Sequence, residues 1–351
     1  MTHPYENLQD FQHWMRAVAW PAPGAVDPAV GVHKIGSGEK IATMGSCFAQ
    51  HMARHLSEAG MTHHVAEPPP PALAANTAAA RNYGVYSARY GNIYTVRQAV
   101  QLFDRAFGLF SPGDSAWTKG ARFIDPFRPM VEPEGFSTET ELLADRDAHL
   151  RCVRALFTDS DWLIFTLGLT EAWRSKRDGA IYPLAPGVAG GQFDAAVHEF
   201  VNFTVGEVRE DLAAFVRKAR SVNPDLKIIL TISPVPLMAT YEPRHVLVST
   251  CVSKAILRCA ADEIERHTEN LFYFPSYEIV TSPSTEGRYY ADDLRQVNEV
   301  GVGHVMRLFR SHFFEYDRPP PLHPDERIAP DIVCEEEVFR HARDILGPSS
   351  L

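Results

Sequence analysis

Two candidate nucleophiles stand side by side at Ser46 and Cys47, in the run Met44-Gly45-Ser46-Cys47-Phe48-Ala49. A thiolate attacks acyl carbon readily, and a serine hydroxyl does so once a base takes its proton. The flanks suggest how such groups would be held. Lys40-Ile41-Ala42-Thr43-Met44 is short and mostly apolar, like a buried strand, whereas Phe48, Met52, Leu56 and Ala59 recur at helical spacing until Gly60. A strand, a glycine turn and a helix start would set N–H groups and a positive dipole end beside the thiol, favouring a thiolate or an oxyanion. Taken alone, the pattern fits better a small apolar cysteine packed under a turn, the commoner use of the residue.

The elements that must position this turn alternate as helix then strand. A helix near 143–157 leads into Trp162-Leu163-Ile164-Phe165-Thr166-Leu167. A second near 208–220, ended by Asn223-Pro224, leads into Lys227-Ile228-Ile229-Leu230-Thr231-Ile232, and a third near 251–267 into Leu271-Phe272-Tyr273-Phe274. Such alternation predicts a parallel sheet with helices on both faces. Chemistry in such sheets gathers beyond the carboxyl ends of the strands, here Gly45-Ser46-Cys47, Gly168 to Glu171, Ser233-Pro234 and Ser276-Tyr277-Glu278. Residues 1–39, mixing Trp14 and Trp20 with several prolines, read as an arm packed on the core. Pro68 to Pro71 and the alanine-rich stretch to Arg81 read as a surface loop, 112–148 as an irregular insertion, and 317–351 as a tail with a short helix from Val338 to Leu346.

With 351 residues, 45% of them hydrophobic, the chain can bury a large core, and a net charge of -10 argues against a nucleic-acid surface. No apolar run is long enough to span a bilayer and no basic-then-apolar leader opens the chain, so a cytoplasmic address without membrane contact is expected. The cysteines at 47, 152, 251, 259 and 334 are scattered without metal-ligand spacing, which predicts free thiols and no metal. The sequence assigns no protein partner.

Gly45-Ser46-Cys47-Phe48-Ala49 is the name-giving motif of the bacterial GSCFA family, which resembles a branch of the SGNH, or GDS(L)-type, hydrolases. The resemblance continues at Thr166 to Trp173, Thr231 to Leu237, Ser253-Lys254 and Phe274 to Glu278, so it covers residues from about 40 to about 314. It implies a three-layer α/β sandwich with a central parallel sheet, flavodoxin-like, forming one domain over 40–316. It also implies chemistry on an ester or thioester acyl group of a small molecule or carbohydrate. No cofactor is required, and acyl-CoA is a candidate donor.

Laid over the SGNH blocks, Gly45 takes the glycine, Ser46 the aspartate and Cys47 the serine. This favours Cys47 as nucleophile and as the most reactive, partly accessible thiol, with Ser46 one slip away. Asn82 and Gly84 fall on the second block as oxyanion donors. In the third, Gly168-Leu169-Thr170-Glu171 lies over Gly-x-Asn-Asp, so that Thr170 replaces an amide donor. Glu171 reads either as a site acid or as a first-turn residue of the next helix. In the fourth, Asp293-Leu294-Arg295-Gln296-Val297-Asn298 fits Asp-x-x-His-x-Asn except that Gln296 stands where the base belongs, and an amide accepts no proton at neutral pH. His304 is the nearest alternative base, ahead of His245 and His51. A catalytically degenerate module that binds a sugar or acyl ligand is the competing expectation, and Gln296→His should raise activity if the block is placed correctly.

Overall fold

The computed structural model describes residues 3–315 apart from 23 and 32. The tail expected over 317–351, its helix and Cys334 lie outside the described residues.

Four strands form the central sheet: β1 (Ile41–Gly45), β4 (Trp162–Leu167), β8 (Lys227–Ile232) and β9 (Leu271–Phe274), in the spatial order β1-β4-β8-β9. Every pairing is parallel, with Gly45 opposite Thr166, Leu167 opposite Ile232 and Thr231 opposite Phe274. The carboxyl ends therefore share one edge, and three of the four strand boundaries match those expected from apolar runs.

Alternation along the strands sends side chains to two apolar layers. Met44, Phe165, Leu167, Leu230 and Ile232 meet α3 (Val96–Ala106), α4 (Glu139–Asp159), α5 (Val205–Val222) and α6 (Val246–Arg266) on one face. Ile41, Ile164, Ile229 and Phe274 meet α1 (Ala49–Glu58), α7 (Ser276–Thr281) and α8 (Glu299–Phe313) on the other. This is the three-layer α/β arrangement expected. The long helices begin where their caps say: Thr138 with Glu141, and Thr204 with Glu207, form capping boxes that start α4 and α5 earlier than apolar periodicity alone indicates.

Three features depart from the sequence reading. Residues 75–80 of the alanine-rich loop form the short helix α2 (Ala75–Ala80). The insertion is not wholly irregular, since it carries the hairpin β2 (Trp117–Lys119) and β3 (Arg122–Ile124), whose Trp117 and Ile124 pack with Phe127, Ala180 and Tyr182. Between β4 and α5 lies an antiparallel sheet that periodicity did not reveal, of β5 (Glu171–Ser175), β6 (Ile181–Tyr182) and β7 (His198–Asn202) in the order β6-β5-β7. Glu171 thus opens a strand and not a helix, so no helix dipole calls for its charge.

β1 is an edge strand, yet its outward backbone groups are bonded by loop residues one after another. Ile41 N–H donates to Thr62 O (2.9 Å) and Ile41 O accepts from His64 N–H (2.8 Å). Thr43 N–H donates to Ser87 Oγ (2.9 Å), Thr43 O accepts from the Tyr90 hydroxyl, and Gly45 O accepts from Ile93 N–H (2.8 Å). Along α8 runs part of the arm: His33 N–H donates to His312 O and Ile35 N–H to Phe313 O, both at 2.7 Å. Its earlier residues Phe11, Trp14 and Trp20 are exposed.

Candidate active site

The Gly45 turn is built by close approach. Gly45 has φ +130°, and a Cβ there would lie 2.1 Å from Thr166 O, so only glycine fits between β1 and β4. Ser46 N–H donates to Thr166 O at 3.1 Å, after which the chain turns directly into α1. Gly168, at the end of β4, faces the turn: a Cβ there would meet Tyr94 O at 2.9 Å and Ser46 Cβ at 3.1 Å. Gly168 and Leu169 both donate N–H groups to Tyr94 O, at 3.2 and 3.0 Å. Three chain segments, 45–47, 92–94 and 168–169, are thereby locked at the carboxyl edge of the sheet.

Two groups missed by the sequence reading complete this ring. Lys254, buried on α6, donates from Nζ to Gly168 O at 2.6 Å, and its neighbour Ser253 accepts from Thr170 N–H at 3.0 Å. The signal was present, because Ser253-Lys254 belongs to the family pattern and a lysine within an apolar helical stretch asks for a buried partner. The second is the segment from Tyr90 to Tyr94. Buried Asn92 accepts at Oδ1 from the Tyr86 hydroxyl (2.5 Å), which fixes the orientation of its amide. Here too a cue existed: Thr95, capping α3 through Gln98 N–H, marks a helix start immediately after Tyr90-Gly91-Asn92-Ile93-Tyr94.

The residues expected from sequence fall into two groups. Gly45, Ser46, Cys47, Gly168 and Thr170 are gathered at the strand ends. Ser46 Oγ is buried with no hydrogen-bond partner among the described residues, and Cys47 is only 5% exposed, less accessible than expected, while Cys251 and Cys259 are exposed. The Thr170 hydroxyl donates to Asn202 Oδ1 (2.7 Å) and lies 3.2 Å from Ser253 Oγ, so it is engaged in holding β5 to β7 and α6. Glu171 accepts from the Thr240 hydroxyl (2.7 Å) and Tyr241 N–H (3.3 Å), and burial raises its pKa.

The remaining residues make their contacts elsewhere. Asn82 donates to Met130 O at 3.4 Å, and the space beside Gly84 is open, whereas the bonds to Gly45 and Gly168 come from Ile93 and Tyr94. Asp293 accepts at one oxygen from Arg295 N–H and Gln296 N–H, both at 2.9 Å, which closes its own turn. In that loop Gln296 is exposed and Arg295 is the buried side chain. His304 is buried, but its Nδ1 lies 2.7 Å from the Tyr289 hydroxyl, and the charge of Arg307 and the polar groups of Val26 and Asp27 act on it too. Burial lowers its pKa. His51, one turn beyond Cys47, is pushed by burial to about 3, with Arg54 and His55 adding to the effect. Moving a proton from an ordinary thiol to such an imidazole would be uphill by about 7 kcal/mol. His245 caps α6, accepting from Leu247 N–H.

Beside the ring opens a cleft of about 190 Å³ that begins at Tyr94 and Leu169 and runs over the antiparallel sheet, lined by neither Ser46 nor Cys47. Trp173, Phe200 and Tyr241 wall it, with ring centroids 5.0 to 6.0 Å apart. Among the described residues, no group of three or more His, Cys, Asp or Glu could hold a metal ion, and no helix is long and apolar enough to cross a membrane.

Solved structures similar to this one include a Clostridium thermocellum family 3 carbohydrate esterase, at 10% identity and TM-score 0.33, covering 78% of this chain and 94% of that one. An acetyl esterase mutant with acetate ion gives 11% identity and TM-score 0.34, over 77% and 93%. An acetyl xylan esterase from the rumen bacterium Butyrivibrio proteoclasticus gives 10% and 0.29, over 80% and 64%. No curated protein matches the sequence. The model of the GSCFA family matches residues 40–309, a span that holds the glycine turn, all four strands of the central sheet and most of α8. By that match the chain belongs to the GSCFA family.

Proposed function

We propose that this protein cleaves or transfers an ester or thioester acyl group of a small molecule or carbohydrate through an acyl-enzyme on Cys47. The observation that carries the reading is the locked turn: Gly45 against Thr166 and Ser46 against Gly168 hold residue 47 at the start of α1, on the strand edge where a cleft begins. The thiolate would attack the acyl carbon and the leaving alcohol or thiol would depart with a proton. Water would then release the acid, or an acceptor hydroxyl would take the acyl group. Negative charge on the tetrahedral oxygen would be met by N–H groups at the α1 start and by the Asn92 amide. Lys254, when protonated, would favour both the thiolate and that oxyanion over their neutral forms.

Binding without turnover is the second reading. It is favoured by the exposed Gln296 at the position of the expected base and by His304 being bonded to the Tyr289 hydroxyl. The deciding experiment incubates the protein with short p-nitrophenyl esters and acyl-CoA donors, then maps any acyl adduct by mass spectrometry. Release of p-nitrophenol with an adduct on Cys47, both lost in Cys47→Ala, is the expected result. An adduct on Ser46 would move the nucleophile, and inertness toward every donor would favour the binding module.

A further inference from the structure

Against Tyr90 and Ile93 lies a cavity of about 20 Å³, enough for one water or one monatomic ion. Arg105 and Arg128 line it, and both are at least nine-tenths buried. Arg105 Nη2 and Arg128 Nη1 find no hydrogen-bond acceptor among the described residues. The carboxylate whose charge acts on Arg105, Asp125, is already bonded by Arg128 Nε (2.9 Å) and by Arg146 Nη2 (2.9 Å). Arg105 itself lies over the Phe127 ring, 4.1 Å from its centroid, which gives its charge a face but no acceptor. Burial holds Arg105 at about 9, the neighbouring Arg146 and Arg128 adding to the effect while Asp125 opposes it.

The other polar groups of the wall are already engaged. Gln98 accepts from Tyr94 N–H (3.0 Å) and donates to Asn92 O (2.9 Å). Gln101 accepts from Ile181 N–H and donates to Gly179 O, both at 2.8 Å, and the Tyr90 hydroxyl donates to Thr43 O. The rest of the wall is apolar. A water there could accept from both guanidinium groups but would have poor partners for its own hydrogens. An anion accepts only, and it would offset a buried positive charge that is otherwise expensive to desolvate.

We propose that Arg105 and Arg128 bind one chloride ion in this cavity, independently of any acyl chemistry. The ion would brace Ile93, a cavity-wall residue whose N–H holds Gly45 O, and so stabilise the native chain by mass action. The test measures thermal unfolding at equal ionic strength in chloride and in gluconate, an anion too large for the cavity. About 0.2 M chloride should raise Tm by about 2–4 °C over gluconate, and Arg105→Gln should lose the difference. Crystals soaked in bromide should show anomalous density between Arg105 and Arg128. Equal Tm values, or a difference that survives in Arg105→Gln, would overturn the proposal, as would bromide-soaked crystals holding only a water there. If Arg105→Gln does not fold, the bromide density of the wild-type protein decides alone.

Discussion

The Gly45 turn and the Asp293 loop were expected to be two halves of one catalytic set, yet they are held by opposite means. Gly45 to Cys47 is buried and fixed from outside, by Thr166, Ile93 and Gly168. Asp293 to Gln296 is largely exposed apart from Arg295, and its turn is closed by an aspartate that accepts from two of its own N–H groups, with Leu294 at φ +52°. A nucleophile needs the first kind of support, since small displacements of attacking atoms are costly. The second kind tolerates change of sequence at its tip, where Gln296 stands at the position for which the family resemblance leads one to expect a histidine.

The largest effect expected from this contrast is that of Gly45→Ala. Its Cβ would collide with the Thr166 carbonyl, so urea unfolding should show a loss of roughly 4 kcal/mol or more, or no soluble protein. Asp293→Ala removes the acceptor of two turn N–H groups in an exposed loop and should cost about 1–2 kcal/mol. Comparable losses in the two variants would erase the distinction. Lys254→Met should fall between them, at about 1–3 kcal/mol, because it strips a buried carbonyl of its donor.

Acid should soften the loop that braces β1. Burial opposes ionisation of Glu67, but His149, Arg128 and the Arg89 N–H outweigh it and leave the carboxyl at about 2. A carboxyl depressed in the folded state contributes stability that is fully present above its ordinary value near 4.5 and is lost as pH falls toward 2. His149, whose pKa burial lowers, acts in the same direction below its ordinary 6.5. Stability should therefore decline on acidification across this window, and Glu67→Gln should flatten the slope. A wild-type curve as flat as that of the variant would remove Glu67 from the account.

Thiol labelling gives a smaller contrast. Iodoacetamide should reach Cys251 and Cys259 first and Cys47 only through local opening, so that mild denaturant accelerates Cys47 the most. The smallest effect belongs to Gln296→His, an exposed substitution expected to change stability by less than about 0.5 kcal/mol. A gain of esterase activity in that variant would mean that the Asp293 loop can close on Cys47.

How much of this was legible depended on what kind of physics wrote each part. β4, β8 and β9 were readable because strands buried on both faces are continuous apolar runs between turn signals. The glycine turn was readable because close approach leaves only one residue type. The sheet β5-β6-β7 was not, because Glu171-Ala172-Trp173-Arg174-Ser175 mixes charge, small and aromatic residues with one face on the cleft. Tyr83-Gly84 and Tyr90-Gly91 are two similar segments, and only the cap at Thr95, just after the second, distinguishes the one that reaches Gly168. Lys254 went unassigned because a burial partner supplied by a backbone carbonyl 86 positions away leaves no trace in spacing.

The loop bonds along β1 give that strand an unusual kind of adjustability. Its outer edge carries no continuous partner strand, only separate clips from residues 62–64, Ser87, Tyr90 and Ile93. Another chain has no row of unmet groups to zip onto, so the edge resists intermolecular pairing without lysines or a bulge. Each clip can also be lengthened, shortened or retyped without disturbing the register with β4. Loop variation between residues 60 and 94 would thus act on Gly45 through Ile93 while leaving the register between β1 and β4 as it is.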